Sequence, residues 1–109
     1  MYQEKARRWN DENQDEHRMK MRQYAFDYLL AHPCVDCGET DPIVLEFDHV
    51  RGVKLSEVSV LLGSTVSMKR LTDEIAKCDI RCANCHRRKT AQERGWHMLD
   101  LVAKYEADS

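Results

Sequence analysis

Two cysteine pairs, Cys34-Val35-Asp36-Cys37 and Cys82-Ala83-Asn84-Cys85, are the residues of this chain whose types and spacing most directly imply chemistry. One CxxC turn offers two thiolates to a single ion, and two such turns complete the tetrahedral sulfur shell that zinc favours. Cys34, Cys37, Cys82 and Cys85 are therefore candidate structural zinc ligands. Buried free thiols would explain single cysteines more simply than two spaced pairs. The fifth cysteine, Cys78, reads as a small packing residue. Cys82 to His86 also spells CxxCH, the haem-attachment signature. That reading needs export in most settings, and it leaves Cys34 and Cys37 without a role.

A second set of residues, Asp48, His49 and His86, suits phosphodiester hydrolysis. That reaction needs an activated water and a cation on the developing charge. A neutral imidazole is a suitable base near pH 7, and a carboxylate with an imidazole suits a divalent metal. Taken singly, each residue has a plainer explanation: an exposed Asp, a capping His, or a neighbour of the zinc shell. Side chains alternate along a strand, so Asp48 and His49 point to opposite sides unless the chain bends. One could then face a metal and the other the attacking water.

The elements that must position these groups can be outlined from the pattern. Met21, Tyr24, Ala25, Tyr28 and Leu29 repeat at i, i+3, i+4, i+7 and i+8, the signature of one buried helix face. Pro33 ends that helix, because the residue before a proline is pushed out of the α region, so the chain is delivered straight into Cys34. Residues 1–16 are polar and suggest a frayed or separately projecting helix. Gly38 after Cys37 allows a knuckle turn, and Asp41-Pro42 marks another. Ile43 to Phe47 reads as a strand whose end presents Asp48 and His49. Ser56 to Leu62 suggests a short helix ended by Gly63. Ser67 is a plausible N-cap for a helix with Leu71 and Ile75 on one face. Asp79 to Arg81 allows a brief second strand, Ala83 to Arg94 a helix closed by Gly95, and Trp96, Leu99, Val102 and Ala103 a weaker apolar stripe.

A chain of 109 residues with 42% hydrophobic and 33% charged content is expected to form one globular, helix-rich domain. A domain this small gains from a metal staple. Free CxxC pairs point to a reducing compartment, and no signal peptide or long apolar run is apparent, so a cytoplasmic protein without membrane contact is expected. The net charge of −2 does not announce a nucleic-acid binder. The distribution says more: Arg81, Arg87, Arg88 and Lys89 lie in a stretch without acids, a local patch able to hold phosphate.

The segments Cys34-Val35-Asp36-Cys37-Gly38, Leu45-Glu46-Phe47-Asp48-His49 and Cys82 to Thr90 resemble the HNH family of endonucleases, in particular small phage and bacterial members with a four-cysteine zinc. The resemblance covers roughly residues 33–91. It implies an α+β fold: a ββα-metal (His-Me finger) core with a CxxC/CxxC knuckle pair over 33–95, an N-terminal helical extension over 1–32 and a helical tail over 96–109. It implies His49 as general base, with Asp48 and His86 holding one catalytic Mg²⁺, Mn²⁺ or Ni²⁺ apart from the structural Zn²⁺. It implies DNA as the substrate, cut or nicked with little sequence preference, and Arg81, Arg87, Arg88 and Lys89 as backbone contacts, which position DNA without reading it. In a phage setting the implied partner is the packaging terminase or another DNA-processing protein. The family's middle Asn has no counterpart between residues 50 and 81, where Lys77 or Asp79 lies near the expected position. A non-catalytic zinc module that binds nucleic acid or protein is the alternative. The N-terminal cations Lys5, Arg7, Arg8, Arg18, Lys20 and Arg22 leave a DNA clamp open.

Overall fold

In the computed structural model, which describes the backbone of residues 2–109 and the side chains from Asn13 onward, the chain is mixed: five helices around a two-stranded antiparallel sheet. The order is α1 (Tyr2–Ala31), β1 (Leu45–His49), α2 (Val58–Leu62), α3 (Met68–Ile75), β2 (Cys78–Cys82), α4 (Ala83–Arg94) and α5 (His97–Asp108). α1 runs unbroken through the polar N-terminal stretch, and it ends before Pro33, as the proline requires. The side chains of Lys5, Arg7 and Arg8 lie outside the described residues.

β1 begins two residues later than the apolar run suggests. The Asp41 carboxylate accepts from the Ile43 amide at 2.9 Å, and the Val44 amide reaches back to the Asp41 carbonyl. Pro42 to Val44 are thereby committed to a turn, and Ile43 is 87% exposed. The shift places Asp48 and His49 inside the strand rather than beyond it. β2 is longer than expected at both ends and includes Cys78 and Cys82. Its register pairs Leu45 with Cys82, Phe47 with Ile80 and His49 with Cys78. Alternation then puts Glu46, Asp48, Asp79 and Arg81 on the opposite face.

Two small cores follow. Met21 of α1 packs with Val58, Leu61, Leu71, Ile75 and Cys78. Leu45 and Ile80 pack with Cys34, Cys82 and Cys85. Ser67 caps α3 by accepting from the Arg70 amide at 3.1 Å. Gly95 closes α4 in the left-handed conformation (φ 60°), a cost only glycine avoids. The apolar stripe after Trp96 does form a helix, but α5 buries none of its residues. Among the described residues no helix is long and apolar enough to cross a membrane.

Candidate functional site

The four predicted zinc ligands converge. The sulfurs of Cys34, Cys37, Cys82 and Cys85 all lie within 4.8 Å of one another, and none is in a disulfide. The local reasons are legible. Gly38 takes φ +80°, so its amide bonds back to the Cys34 carbonyl at 2.9 Å and closes the first turn. The Val35 amide then docks on the Ile80 carbonyl of β2 at 2.9 Å. The second pair sits at the β2–α4 junction, where Cys82 is the N-cap and its sulfur accepts from the Cys85 amide at 3.4 Å.

The donor set fits a tetrahedral metal such as zinc. Sulfurs about 2.3 Å from a central Zn²⁺ lie about 3.8 Å apart, and the Cys37 and Cys82 sulfurs are 3.7 Å apart. The thiols of the cluster differ in their surroundings. Burial pushes the Cys34 thiol up, but hydrogen bonding from the Cys82, Cys37 and Asp36 backbone outweighs it and brings Cys34 to about 6. The Cys82 sulfur, and then burial, push Cys85 to about 12. Thiols packed this closely cannot all ionise unless a cation compensates them. Cys78 is outside the cluster; burial and then Glu74 raise its thiol to about 11, which suits an inert packing residue.

Asp48 and His86 are also brought together. The Asp48 side chain is 8% exposed, and its Oδ1 lies 3.3 Å from His86 Nε2. Its Oδ2 meets Arg81 at 2.8 Å and Lys89 at 3.1 Å. His86 Nδ1 faces Glu46 Oε1 at 3.1 Å. A carboxylate only accepts, so Nδ1 donates to Glu46. In the neutral ring Nε2 then turns its lone pair to Asp48 Oδ1, a contact that a cation between the two atoms, a proton or a metal ion, makes favourable. Two ligands at adjacent octahedral corners, each about 2.1 Å from an ion, lie about 3.0 Å apart, close to the distance seen. Among the described residues no third protein ligand joins this pair: the cysteines are the one group of three or more that converges.

His49 turns the other way, as strand alternation dictates. Its Nε2 lies 2.9 Å from Glu74 Oε2 of α3. It also lines a cavity of about 480 Å³ shared with Arg51, Lys54, Lys89 and Glu93. Lys89 therefore touches both sides, facing the His49 cavity and Asp48 at once.

The four basic residues separate into two groups. Arg81 is largely enclosed, with Nε on Asp36 at 2.8 Å and its other end on Asp48. Lys89 bridges Asp48 and Glu93, and Glu93, then Asp48, raise its ammonium above the usual lysine range in spite of burial. Arg87 and Arg88 are exposed on α4, and the Arg87 guanidinium lies 4.9 Å from the centre of the Trp96 ring.

Sequence reasoning missed Glu46, Glu74 and Asp36. Glu46 and Asp36 stand within motif segments, yet their partners lie 40 and 45 residues away, and Glu74 reaches His49 across 25 residues. The only local signal for Glu74 was an acid at a face position between Leu71 and Ile75. Comparison with protein-family models, curated proteins and solved structures finds no match to this chain.

Proposed function

We propose that this chain is a metal-dependent DNA endonuclease or nickase of the HNH type, with β1, β2 and α4 as its ββα-metal core and a structural Zn²⁺ on Cys34, Cys37, Cys82 and Cys85. The observation that carries the reading is the meeting of Asp48 Oδ1 and His86 Nε2 at 3.3 Å, with Glu46 fixing the far nitrogen of the same ring. A carboxylate behind a ligating imidazole is the usual outer support of a metal-binding histidine. A Mg²⁺, Mn²⁺ or Ni²⁺ bound there would supply Lewis-acid stabilisation to the scissile phosphate and the departing 3′ oxygen.

The chain's own groups divide the remaining work. Asp48 and His86 would be the side chains that hold the ion. His49, at the end of the same strand, takes a proton from the attacking water. Lys89, which meets Asp48 at 3.1 Å and also lines the cavity beside His49, is placed to turn to a phosphate oxygen held there. Arg87 and Arg88, exposed on α4, track the backbone. Arg81 serves to hold Asp48 in place rather than to touch DNA.

One observation favours a second reading, a zinc module that binds nucleic acid or protein without cleaving it. Arg81 and Lys89 already neutralise Asp48, so the carboxylate is satisfied without a divalent ion. Plasmid cleavage separates the two. Zinc-loaded wild type and His49→Ala are incubated with supercoiled DNA, with and without added Mg²⁺, Mn²⁺ or Ni²⁺. Metal-dependent nicking or linearisation by the wild type, lost in His49→Ala, is expected. A folded, zinc-bound wild type that leaves the plasmid intact under every metal refutes the enzyme and leaves the module.

A further inference from the structure

We propose that Glu74 is the positioning residue for His49: it fixes the ring through Nε2 and leaves Nδ1 as the atom that accepts the proton of the attacking water. This rests on the nuclease reading above and names a residue outside the motif that suggested it.

The side chain of Glu74 is 0% exposed, on the buried face of α3 between Leu71 and Ile75. An aliphatic residue would fill that position at lower electrostatic cost, since buried charge is a weak route to stability. The carboxylate is nonetheless fully engaged. Oε1 accepts from Arg70 at 2.7 Å and from Lys77 at 3.2 Å. Oε2 accepts from the Leu55 amide at 3.3 Å and faces His49 Nε2 at 2.9 Å. With both oxygens held, the carboxylate cannot rotate away from the ring. Burial pushes Glu74 upward, but Arg70, Leu55, Lys77 and His49 together hold it at about 2.

An ionised carboxylate only accepts, so Nε2 must carry the hydrogen and the neutral ring has its lone pair on Nδ1. No described residue hydrogen-bonds to Nδ1, and no buried side-chain nitrogen or oxygen lacks a partner, so Nδ1 reaches solvent. His49 lines the cavity of about 480 Å³ described above. Its charged lining is Arg51 and Lys54 from the loop after β1 with Lys89 and Glu93 from α4, and Cys78 faces His49 across the sheet.

Lys77 ties this device to the loop. Its carbonyl accepts from the Val50 amide at 2.9 Å and the Arg51 amide at 3.2 Å, while its Nζ donates to the Val53 carbonyl at 2.7 Å. One residue therefore braces both the backbone leaving His49 and the carboxylate orienting its ring. In the step this serves, the water oxygen bonds to phosphorus as the bond to the 3′ oxygen breaks. The water proton passes to Nδ1, and the leaving oxygen is protonated from solvent. The Nε2 hydrogen stays on the ring, where Glu74 stabilises the imidazolium.

The test is ¹⁵N NMR of the histidine rings in the zinc-loaded full chain, with His49→Ala used to assign the His49 signals, alongside plasmid cleavage kinetics. The wild type is expected to show His49 as the Nε2–H tautomer. Glu74→Gln is expected to mix the tautomers and lower kcat by at least about tenfold while KM for plasmid stays within about twofold, since a tautomer fault acts on the chemical step rather than on binding. An Nδ1–H tautomer in the wild type overturns the proposal. So does a folded Glu74→Gln protein with unchanged tautomer and rate. If Glu74→Gln does not fold, the wild-type tautomer decides alone. Absence of cleavage by the wild type under any divalent metal removes the nuclease reading and the catalytic role with it, while the Nε2–H signal persists, so the two failures are read separately.

Discussion

Cys37→Ser isolates what the metal contributes to the fold. Cys37 is the exposed ligand of the four, so its replacement removes a metal bond with little loss of packing. Beside the ligands and the partly buried Tyr28, Leu29 and Phe47, the buried residues described in that core are Leu45 and Ile80. At about 1.5–3 kcal/mol per buried aliphatic side chain, they supply roughly 3–6 kcal/mol. A structural zinc contributes about 10–16 kcal/mol in zinc-finger peptides, so an ion on these four thiolates would outweigh the aliphatics in closing this half of the molecule. The first knuckle meets the second across 45 residues, and without an ion that loop would be closed only by the modest packing around Leu45 and Ile80, the two-stranded sheet and contacts such as Arg81 on Asp36. Weakening the site by as little as 3 kcal/mol should lower Tm by more than about 12 °C in a domain of this size. The assay is thermal melting by circular dichroism, with bound zinc counted by elemental analysis, for wild type, Cys37→Ser and chelator-treated wild type. A zinc-free Cys37→Ser protein melting within about 4 °C of the wild type would refute the reasoning.

Glu46→Gln should weaken divalent binding at Asp48 and His86 by about 10–100-fold, the usual cost of losing an outer-shell carboxylate, and should leave the zinc count unchanged. Titration calorimetry with Mn²⁺ measures it, and unaltered affinity would mean that Glu46 does not orient His86. Arg87→Ala with Arg88→Ala should reduce DNA affinity and flatten the plot of log affinity against log salt by about 0.9 for each phosphate that is no longer neutralised, read by fluorescence anisotropy. An unchanged slope would place the DNA elsewhere. Glu74 has a folded value of about 2 against its ordinary 4.5, so its stabilisation is fully present above 4.5 and is lost as pH falls through 4.5 toward 2. That shift corresponds to about 3 kcal/mol. Glu74→Gln should therefore be less acid-sensitive in urea melts between pH 5 and pH 2 than the wild type, and parallel stability curves would contradict the assignment.

Some of this molecule is decided within short windows of chain, and those parts are legible from residues alone. The CxxC spacing, Gly38 after the first pair and the approach through Pro33 specify the first knuckle. Ser67 and Gly95 mark helix ends through contacts within four residues. The candidate metal ligands are named by residue type, because donor chemistry belongs to the side chain wherever it lies. Strand limits were less legible: Ile43 has the composition of a strand, but the Asp41 carboxylate claims its amide for a turn. The partners of each site were not legible at all. Register decides that Glu46 and Asp48 share the face beneath His86 while His49 leaves by the other, and a slip of one residue would exchange them. Tertiary packing decides that Arg81 is enclosed by Asp36 and Asp48, and that Glu74, 25 residues from His49, holds its ring. The physical reason is range. Ligand identity and capping depend on atoms a few bonds apart, whereas the orientation of an imidazole and the neutralisation of a carboxylate depend on charges carried in from distant elements.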